Sequence, residues 1–288
     1  MGPIQLEVLK QVVLDRFGLT ISFGPCRIAY METLTAPVVG MAHYEPLRHY
    51  AEGHLLLEAG PRGSGITFAS ACPLEVLTEN FQRLIRTHVF EKEHKGVLIG
   101  APLTDIKVTL LAGRSHLKHT EGGDFRQVVY RAIRHGLARG QSLLLEPWYH
   151  FMITAPGDYL GRIMADIQRM HGEFEPPQMN GEDVVIYGRG PVASFSNYGT
   201  ELPAATQGRG QFTASFGGYE PCHNADEVIA AAEYDMDADR ENAADSVFCA
   251  KGAGFLVPWR EAAGYMHIDP ATYAPTLKKA GLEPQNVR

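Results

Sequence analysis

Apolar and polar positions follow two different periods along this chain, and the changes of period mark the predicted elements. Apolar residues at helical spacing predict a first helix over 4–17 that ends at Gly18, and an alternating stretch predicts a strand over 20–23. One helix and one strand form an incomplete unit. We therefore expect the first residues either to belong to the end of a larger domain or to form a short N-terminal cap.

The middle of the chain is predicted to form two α+β units. The first has strands over 53–58, 66–70 and 105–111 and helices over 73–90 and 125–139. The second has the order strand, helix, strand, strand, helix, strand between 148 and 216, which is the order of the ferredoxin-like plait. The predicted fold class is α+β and multidomain, with an α+β unit followed by a ferredoxin-like βαββαβ plait.

Composition bounds the class of protein. A chain of 288 residues, 45 % of them apolar, can bury the cores of two or three domains. No apolar run approaches the roughly 20 residues that span a bilayer, and the N-terminus lacks the pattern of a signal peptide. We therefore expect a cytoplasmic monomer that does not bind membranes.

The net charge of −7 argues against a phosphate-rich partner until its distribution is considered. Eight acidic residues and one basic residue lie between Asp226 and Asp245, so the rest of the chain is formally neutral and has room for basic patches. The helix over 125–139 carries arginines and no acidic residue, and Arg131 and Arg134 are predicted to lie on its polar side.

Most motifs of catalytic chemistry are missing from the sequence. The four cysteines form no CxxC pair, and the twelve histidines form no HExxH motif, with His43, His49, His54, His88 and His94 expected in turns or on helix surfaces. There is no GxSxG motif and no spacing that singles out a pair of catalytic acids. No Gly-Lys dipeptide occurs, so a P-loop is absent and we expect neither GTP nor Mg²⁺ to bind this chain.

Three loops rich in glycine and basic residues join strongly predicted elements, at 61–65, 113–119 and 207–210. Glycine removes side-chain bulk, and arginine or lysine supplies charge and hydrogen bonds, so such loops can approach a phosphate backbone closely. Ordinary solvated turns are the alternative explanation for each loop.

Several ordered motifs resemble elongation factor G and its relatives: Tyr30-Met31-Glu32-Thr33-Leu34, Gly63-Ser64-Gly65, Asp105-Ile106-Lys107-Val108-Thr109 and Thr206-Gln207-Gly208-Arg209-Gly210. Within that family, Asp124-Phe125-Arg126, Leu144-Leu145-Glu146-Pro147 and Ala155-Pro156 followed by Tyr159-Leu160 are most similar to the tetracycline-resistance ribosomal protection proteins. The similarity extends from about Ile4 to about Pro221.

The resemblance implies a division of the chain. Residues 1–34 would be the end of domain III, 35–145 a domain IV of the ribosomal S5 domain 2-like type, and 146–222 a domain V plait. Residues 223–288 would form an acidic helical extension that the elongation factor pattern does not explain. GTP and Mg²⁺ would belong to an N-terminal half, so this chain would not be an enzyme although its full-length parent would be a GTPase.

The resemblance also implies a partner. Domain IV of this family reaches the decoding region of the small ribosomal subunit through tip loops, which the resemblance matches to 61–65 and 113–121 here. The rRNA-contact candidates are Arg62, Ser64, His116, Leu117, Lys118 and His119, with Arg131, Arg134 and Arg209 as secondary basic candidates. No catalytic or metal residue is assigned.

Three functions remain open at this point. Protection proteins tend to carry a Ser-Pro-Val-like tip, whereas this chain has Ser115-His116-Leu117-Lys118, with a histidine where elongation factor G also tends to have one. The leading hypothesis is a ribosome-binding portion of a protection-type GTPase. A translocase-like function and, from another class, a small metal-dependent or hydrolytic enzyme are the alternatives.

Overall fold

The computed structural model describes residues 3–24 and 26–287. It contains two sheets with helices packed on them, which confirms the α+β class. The helices are α1 (Pro3–Phe17), α2 (Glu79–Phe90), α3 (Gly122–Arg139), α4 (Leu160–Arg169), α5 (Val192–Phe195), α6 (Tyr198–Ala205), α7 (Ala225–Ala232), α8 (Trp259–Ala262) and α9 (Ala274–Lys279). The strands are β1 (Met31–Leu34), β2 (Val38–Tyr44), β3 (Ala51–Ala59), β4 (Ile66–Ser70), β5 (Ile106–Ser115), β6 (Ser142–Pro156), β7 (Glu173–Phe174), β8 (Gln178–Asn180), β9 (Asp183–Pro191), β10 (Gln211–Pro221), β11 (Ser246–Ala250) and β12 (Ala253–Val257).

The first sheet has the strand order β12-β11-β2-β3-β5-β4. Strands β2, β3 and β5 are antiparallel neighbours, and β4 runs parallel to β5. Helices α2 and α3 cover one face, where Leu57, Phe125 and Ile133 belong to one buried core. Complete burial of each such side chain contributes about 1.5–3 kcal/mol, so this face holds the helices firmly.

Helix α3 lies very close to β2 because glycines face each other across the contact. A Cβ on Gly40 would collide with the backbone oxygen of Ala132, and a Cβ on Gly136 would lie 3.1 Å from the Cα of Gly40. The absence of side chains at both positions therefore sets the distance between this helix and the sheet.

The chain after Pro221 returns to the first sheet. Strands β11 and β12 form a hairpin at the β2 edge, where the amide of Glu45 donates to the carbonyl of Val247 at 2.8 Å. We call residues 222–287 the C-terminal segment. Its apolar residues, which include Phe248, Tyr273 and Leu277, cover Met41, Leu56 and Leu111 on the second face of the sheet.

The prediction of an acidic helical extension over 223–288 needs correction. Only short helices occur in it, and the rest is the β11–β12 hairpin and turns. The acidic residues lie mostly on the surface, while the apolar ones cover an otherwise exposed sheet face. Tertiary packing, which decides strand formation more than local propensity does, determined this structure.

The second sheet confirms the ferredoxin-like plait. Its strands have the order β10-β6-β9-β7, and every neighbouring pair is antiparallel. In order of appearance this is 4-1-3-2, the arrangement expected of βαββαβ. Ile163 of α4, Phe195 of α5 and Leu202 of α6 belong to the same core as Ile153 of β6.

Strand β1 joins the two units. It pairs with the first residues of β6, and Glu32 within it is completely buried. The Glu32 carboxylate accepts hydrogen bonds from the amides of Leu98, Ile99 and Ala101 at 2.8–3.1 Å. The strand predicted over 20–23 is not formed, because no strand of the described chain pairs with it. No helix in the described residues is long and apolar enough to cross a bilayer.

Candidate functional site

Two chain segments meet at one end of the first sheet, and we call them together the tip: residues 45–50 between β2 and β3, and residues 116–121 between β5 and α3. The register places them there, because Ala51 pairs with Tyr44 on one side and with Ser115 on the other. The amide of Tyr50 donates to the carbonyl of His119 at 3.1 Å, and the Thr120 hydroxyl donates to the carbonyl of Tyr50 at 2.5 Å.

The loop over 61–65 does not belong to the tip, which corrects the sequence prediction. It follows the other end of β3, where Ala59 pairs with Ile106. About eight residue steps along an extended strand separate the two ends by roughly 26 Å. Arg62 and Ser64 therefore lie far from the tip, and the Nη1 of Arg62 is 3.8 Å from a carboxylate oxygen of Asp105.

The 116–121 segment of the tip is an ordered turn. The amide of His116 donates to the Thr120 hydroxyl at 2.7 Å, and the amide of Lys118 donates to Nδ1 of His116 at 3.2 Å. The rings of His116 and His119 stack with their centroids 4.6 Å apart. Two of the predicted candidates, His116 and His119, thus form one aromatic surface.

The exposed side chains of the tip combine apolar and charged groups. Leu117 is fully exposed and Leu47, on the neighbouring segment, is 62 % exposed. Lys118 is exposed between the two histidines. Exposed leucines beside imidazole rings and an ammonium group provide what a protein uses to contact unpaired bases and phosphates.

A buried carboxylate network lies beneath the tip. Glu52 in β3 is fully buried, and its oxygens accept hydrogen bonds from the rings of His43 and His54 at 2.8 and 3.2 Å and from the amides of His267 and Ile268 at 3.0 and 2.8 Å. Burial alone would raise the pKa of Glu52, but these donors outweigh it and hold that pKa well below its usual range. Glu52 is therefore ionised and central to the network.

The C-terminal segment supplies further contacts to this network. The Oη of Tyr50 lies 3.0 Å from Nδ1 of His267, and Nδ1 of His54 lies 2.7 Å from the Oη of Tyr273. Burial, followed by the charge of Glu52, raises the pKa of Tyr50 to about 12. The phenol therefore stays protonated and can donate a hydrogen bond to the imidazole of His267. The tip is thus connected to the end of the chain.

One group among the described residues has the composition of a possible metal site. Ligand atoms of His43, Glu52 and His267 lie within 4.8 Å of one another. Each Glu52 oxygen already accepts two hydrogen bonds. Together these occupy the four lone-pair positions of the carboxylate that a metal ion would need. The structure also corrects the expected location of the histidines, because His43 and His54 are buried in strands. Hydrogen bonding accounts for this geometry, and it lends no support to a metal-dependent enzyme.

The prediction that Arg131 and Arg134 lie on an exposed polar side of α3 needs correction. Arg134 is buried, with Nη1 donating to the carbonyls of 95–96 at 3.0 and 2.6 Å and Nη2 donating to the Oη of Tyr234 at 2.6 Å. The half-buried Arg131 donates from Nη1 to the carbonyl of Asp245 at 2.6 Å. The C-terminal segment covers this side of α3, so both guanidinium groups are held by contacts within the chain and do not lie on an open polar face of the helix.

The third predicted loop lies in the plait. Arg209 is exposed between α6 and β10, with its guanidinium 5.8 Å from the centre of the Tyr159 ring. Gln211, just beyond, pairs with Thr154 near the end of β6, whereas β1 joins the opposite end of that strand. The three basic loops therefore occupy separate places, and of the three only the loop that contains His116–His119 belongs to the tip.

Sequence reasoning missed half of the tip and its support. Residues 45–50 read Glu-Pro-Leu-Arg-His-Tyr between two apolar runs, which is a recognisable hairpin signal. No comparable signal marks His267, because the amide of His267 and its partner Glu52 are 215 residues apart.

Comparisons with known proteins agree with this architecture. Residues 26–141 match the family model of elongation factor G, domain IV, and residues 143–228 match that of the elongation factor G C-terminus. Tetracycline resistance protein TetP of Clostridium perfringens is 30 % identical over 221 residues, which are 76 % of this chain and 34 % of TetP. A crystal structure from Thermus thermophilus shares the fold with a TM-score of 0.70 and 24 % identity, covering 80 % of this chain and 35 % of that one.

The chain spans about a third of the length of both relatives. The two family models match adjacent segments that together include both sheets of the fold up to β10. The predicted resemblance is thereby confirmed, and the chain belongs to the elongation factor G-like proteins, of which it contains domain IV and the C-terminal domain.

Proposed function

We propose that this chain is the ribosome-binding portion of a protection-type translational GTPase and that its tip contacts small-subunit rRNA at the decoding region. The exposed surface of the tip carries the proposal. Leu117 can enter between bases, the stacked His116 and His119 can stack on them, and the Lys118 ammonium can pair with a phosphate. Similarity to TetP, which is named for tetracycline resistance, supports the protection-type activity.

GTP hydrolysis is assigned to the parent protein and not to this chain. The segments that match family models are domain IV and the C-terminal domain, and the sequence contains no Gly-Lys dipeptide with which a P-loop could be built. The proposed role of this chain is positioning on the ribosome as a cytoplasmic monomer, with GTP and Mg²⁺ bound elsewhere in the parent.

Co-sedimentation of the full chain with ribosomes at increasing salt tests the proposal. We expect His116→Ala combined with Lys118→Met to weaken binding by about tenfold and to reduce its salt dependence, because one phosphate contact is lost. The control combines Arg62→Ala with Arg209→Met, which removes two exposed cations outside the tip and should change binding by no more than about twofold. Absence of pelleting at low salt, or an equal loss in the control, would contradict the proposal.

The apolar part of the tip can be tested separately. Leu117→Ser removes an exposed hydrophobic side chain and no charge. We expect weaker binding with an unchanged salt dependence, because insertion between bases involves no phosphate. If Leu117→Ser changed the salt dependence as much as the His116/Lys118 variant does, this division of roles would be wrong.

A translocase-like function is the second candidate, and the presence of His116 in the tip, where elongation factor G also tends to have a histidine, favours it. Expression of the full-length parent separates the two. Growth in the presence of tetracycline supports protection, whereas growth during depletion of the cell's own elongation factor G supports translocation.

A further inference from the structure

A cavity of about 230 Å³ lies between α3, the loop that follows α2 and the C-terminal segment, away from the tip. Its lining is unusually cationic for a chain with a negative net charge. The charged side chains that line it are Lys92, Lys95, Arg131, Arg134, Arg240 and the single carboxylate Glu241.

Two of these cations have a buried donor without a partner. The Nε atoms of Arg131 and Arg134 are buried and make no hydrogen bond within the described chain. Arg134 is only 3 % exposed, so bulk water does not compensate its Nε. Leaving a buried donor unsatisfied costs about 1–3 kcal/mol, so the chain itself leaves both guanidinium groups short of acceptors.

The positive charges also lie close enough to disfavour one another. Burial lowers the pKa of Lys92, and the neighbouring Lys95 and Arg134 lower it further, although Asp239 and Glu241 oppose them. The hydrogen-bond partner of the Lys92 ammonium is the neutral side-chain oxygen of Asn242, at 2.9 Å. A bound anion would relieve this repulsion.

Asp239 of the C-terminal segment, whose charge also acts on Lys92, already has partners of its own. Its oxygens accept hydrogen bonds from the Oη of Tyr234 at 2.8 Å and from the Asn242 amide at 2.9 and 3.1 Å, and Lys95 is 3.9 Å away. The cluster of cations is therefore only partly neutralised by the protein.

We infer that this cavity binds a phosphate group, which fastens the C-terminal segment to α3. Guanidinium and ammonium groups are the donors that proteins use for phosphate. The cavity is smaller than the roughly 300–1,000 Å³ of sites for drug-sized ligands, so it suits one phosphate group better than a whole nucleotide. Free phosphate and a backbone phosphate of RNA share this chemistry.

The test uses the full chain and inorganic phosphate at constant ionic strength, with calorimetric titration and thermal unfolding as readouts. We expect saturable binding of one phosphate and a higher Tm. Lys95→Met combined with Arg240→Met removes two exposed cations of the lining without changing a buried group, and it should weaken binding at least about tenfold. Lys118→Met combined with Arg209→Met, outside the cavity, should leave the affinity within about twofold.

A second arm uses a short RNA oligonucleotide. Tighter binding of the oligonucleotide than of phosphate, with the same loss in the Lys95/Arg240 variant, assigns the site to an RNA backbone. Equal affinities assign it to free phosphate. Absence of saturable binding of both probes, or equal binding in wild type and the Lys95/Arg240 variant, overturns the inference. The outcome is independent of the proposed function, because the tip is intact in that variant.

Discussion

The Oη of Tyr50 lies 3.0 Å from Nδ1 of His267, and this contact joins two segments that are 217 residues apart. Tyr50 belongs to the tip, where its backbone pairs with His119 and Thr120. His267 belongs to the C-terminal segment, whose amides also donate to Glu52. The end of the chain therefore takes part in ordering the tip.

Tyr50→Phe should loosen the tip without unfolding the domain. The variant loses one half-buried hydrogen bond, so we expect the free energy of unfolding to fall by about 1 kcal/mol or less. Amide hydrogen exchange over 116–120 should become faster by up to about fivefold, because local opening no longer breaks this contact. Tyr187→Phe, at an exposed position of the plait, is the control. Unchanged exchange in the tip would contradict this role of Tyr50.

Glu52→Gln should destabilise the fold strongly. The four donors that surround Glu52 would face an amide that offers one acceptor oxygen and introduces two donors. We expect a loss of about 2–4 kcal/mol in urea unfolding. Glu58→Gln, on the same strand, breaks only a surface ion pair with Lys107 and should cost less than about 1 kcal/mol. Similar losses in the two variants would show that the network contributes little.

Leu277→Ala tests whether the C-terminal segment is part of the domain IV core. Leu277 is fully buried against the second face of the sheet, so truncation should cost about 2–4 kcal/mol. Leu256, on the β11–β12 hairpin, is 65 % exposed, and Leu256→Ala should change stability by less than about 0.5 kcal/mol. Equally small losses of stability in the two variants would show that the segment docks only loosely.

Gly40→Ala tests the close approach of β2 and α3. The added methyl would meet the backbone oxygen of Ala132, which cannot move without shifting the helix. We expect destabilisation by about 1–3 kcal/mol or more, as in other overpacked cores. Gly123→Ala, in the first turn of α3, meets no atom within 4 Å and should be neutral or stabilising by up to about 1 kcal/mol. Thermal unfolding of both variants measures the difference.

His94 should make the stability depend on pH. Burial lowers the pKa of His94 from 6.5 to about 4, and the ring is within hydrogen-bond distance of the Val89 carbonyl through Nε2, at 2.9 Å. Between these two pH values the unfolded chain binds more protons than the folded chain. The free energy of unfolding therefore falls as the pH falls through this window, by up to roughly 1.4 kcal/mol per pH unit, and His94 adds no further loss below it.

Replacement of the histidine tests this assignment. His94→Gln keeps a donor for the Val89 carbonyl but does not titrate, so the slope of stability against pH between about 6.5 and 4 should decrease. His150→Gln, at an exposed position of β6, should leave the slope unchanged. Equal slopes in wild type and His94→Gln would exclude His94 as the origin of the dependence.

Local patterns were sufficient for much of the fold. The helix over 4–17, the strand over 66–70 and the order of the plait were predicted from the spacing of apolar residues, which is a local property of each segment. The strands β2, β11 and β12 were not predicted. Strand pairing depends on partners elsewhere in the chain, so a short apolar run carries little information about it.

The sequence by itself determined the α+β class, the plait, the family resemblance and the presence of His116–His119 in a loop, because these depend on local pattern and motif order. Only the tertiary structure decided which loops meet. The antiparallel register of β3 and β5 places Arg62 and His116 at opposite ends of the sheet. Long-range packing likewise buries Arg134 under the C-terminal segment and brings His267 to Tyr50, since such contacts leave no periodic trace in the sequence.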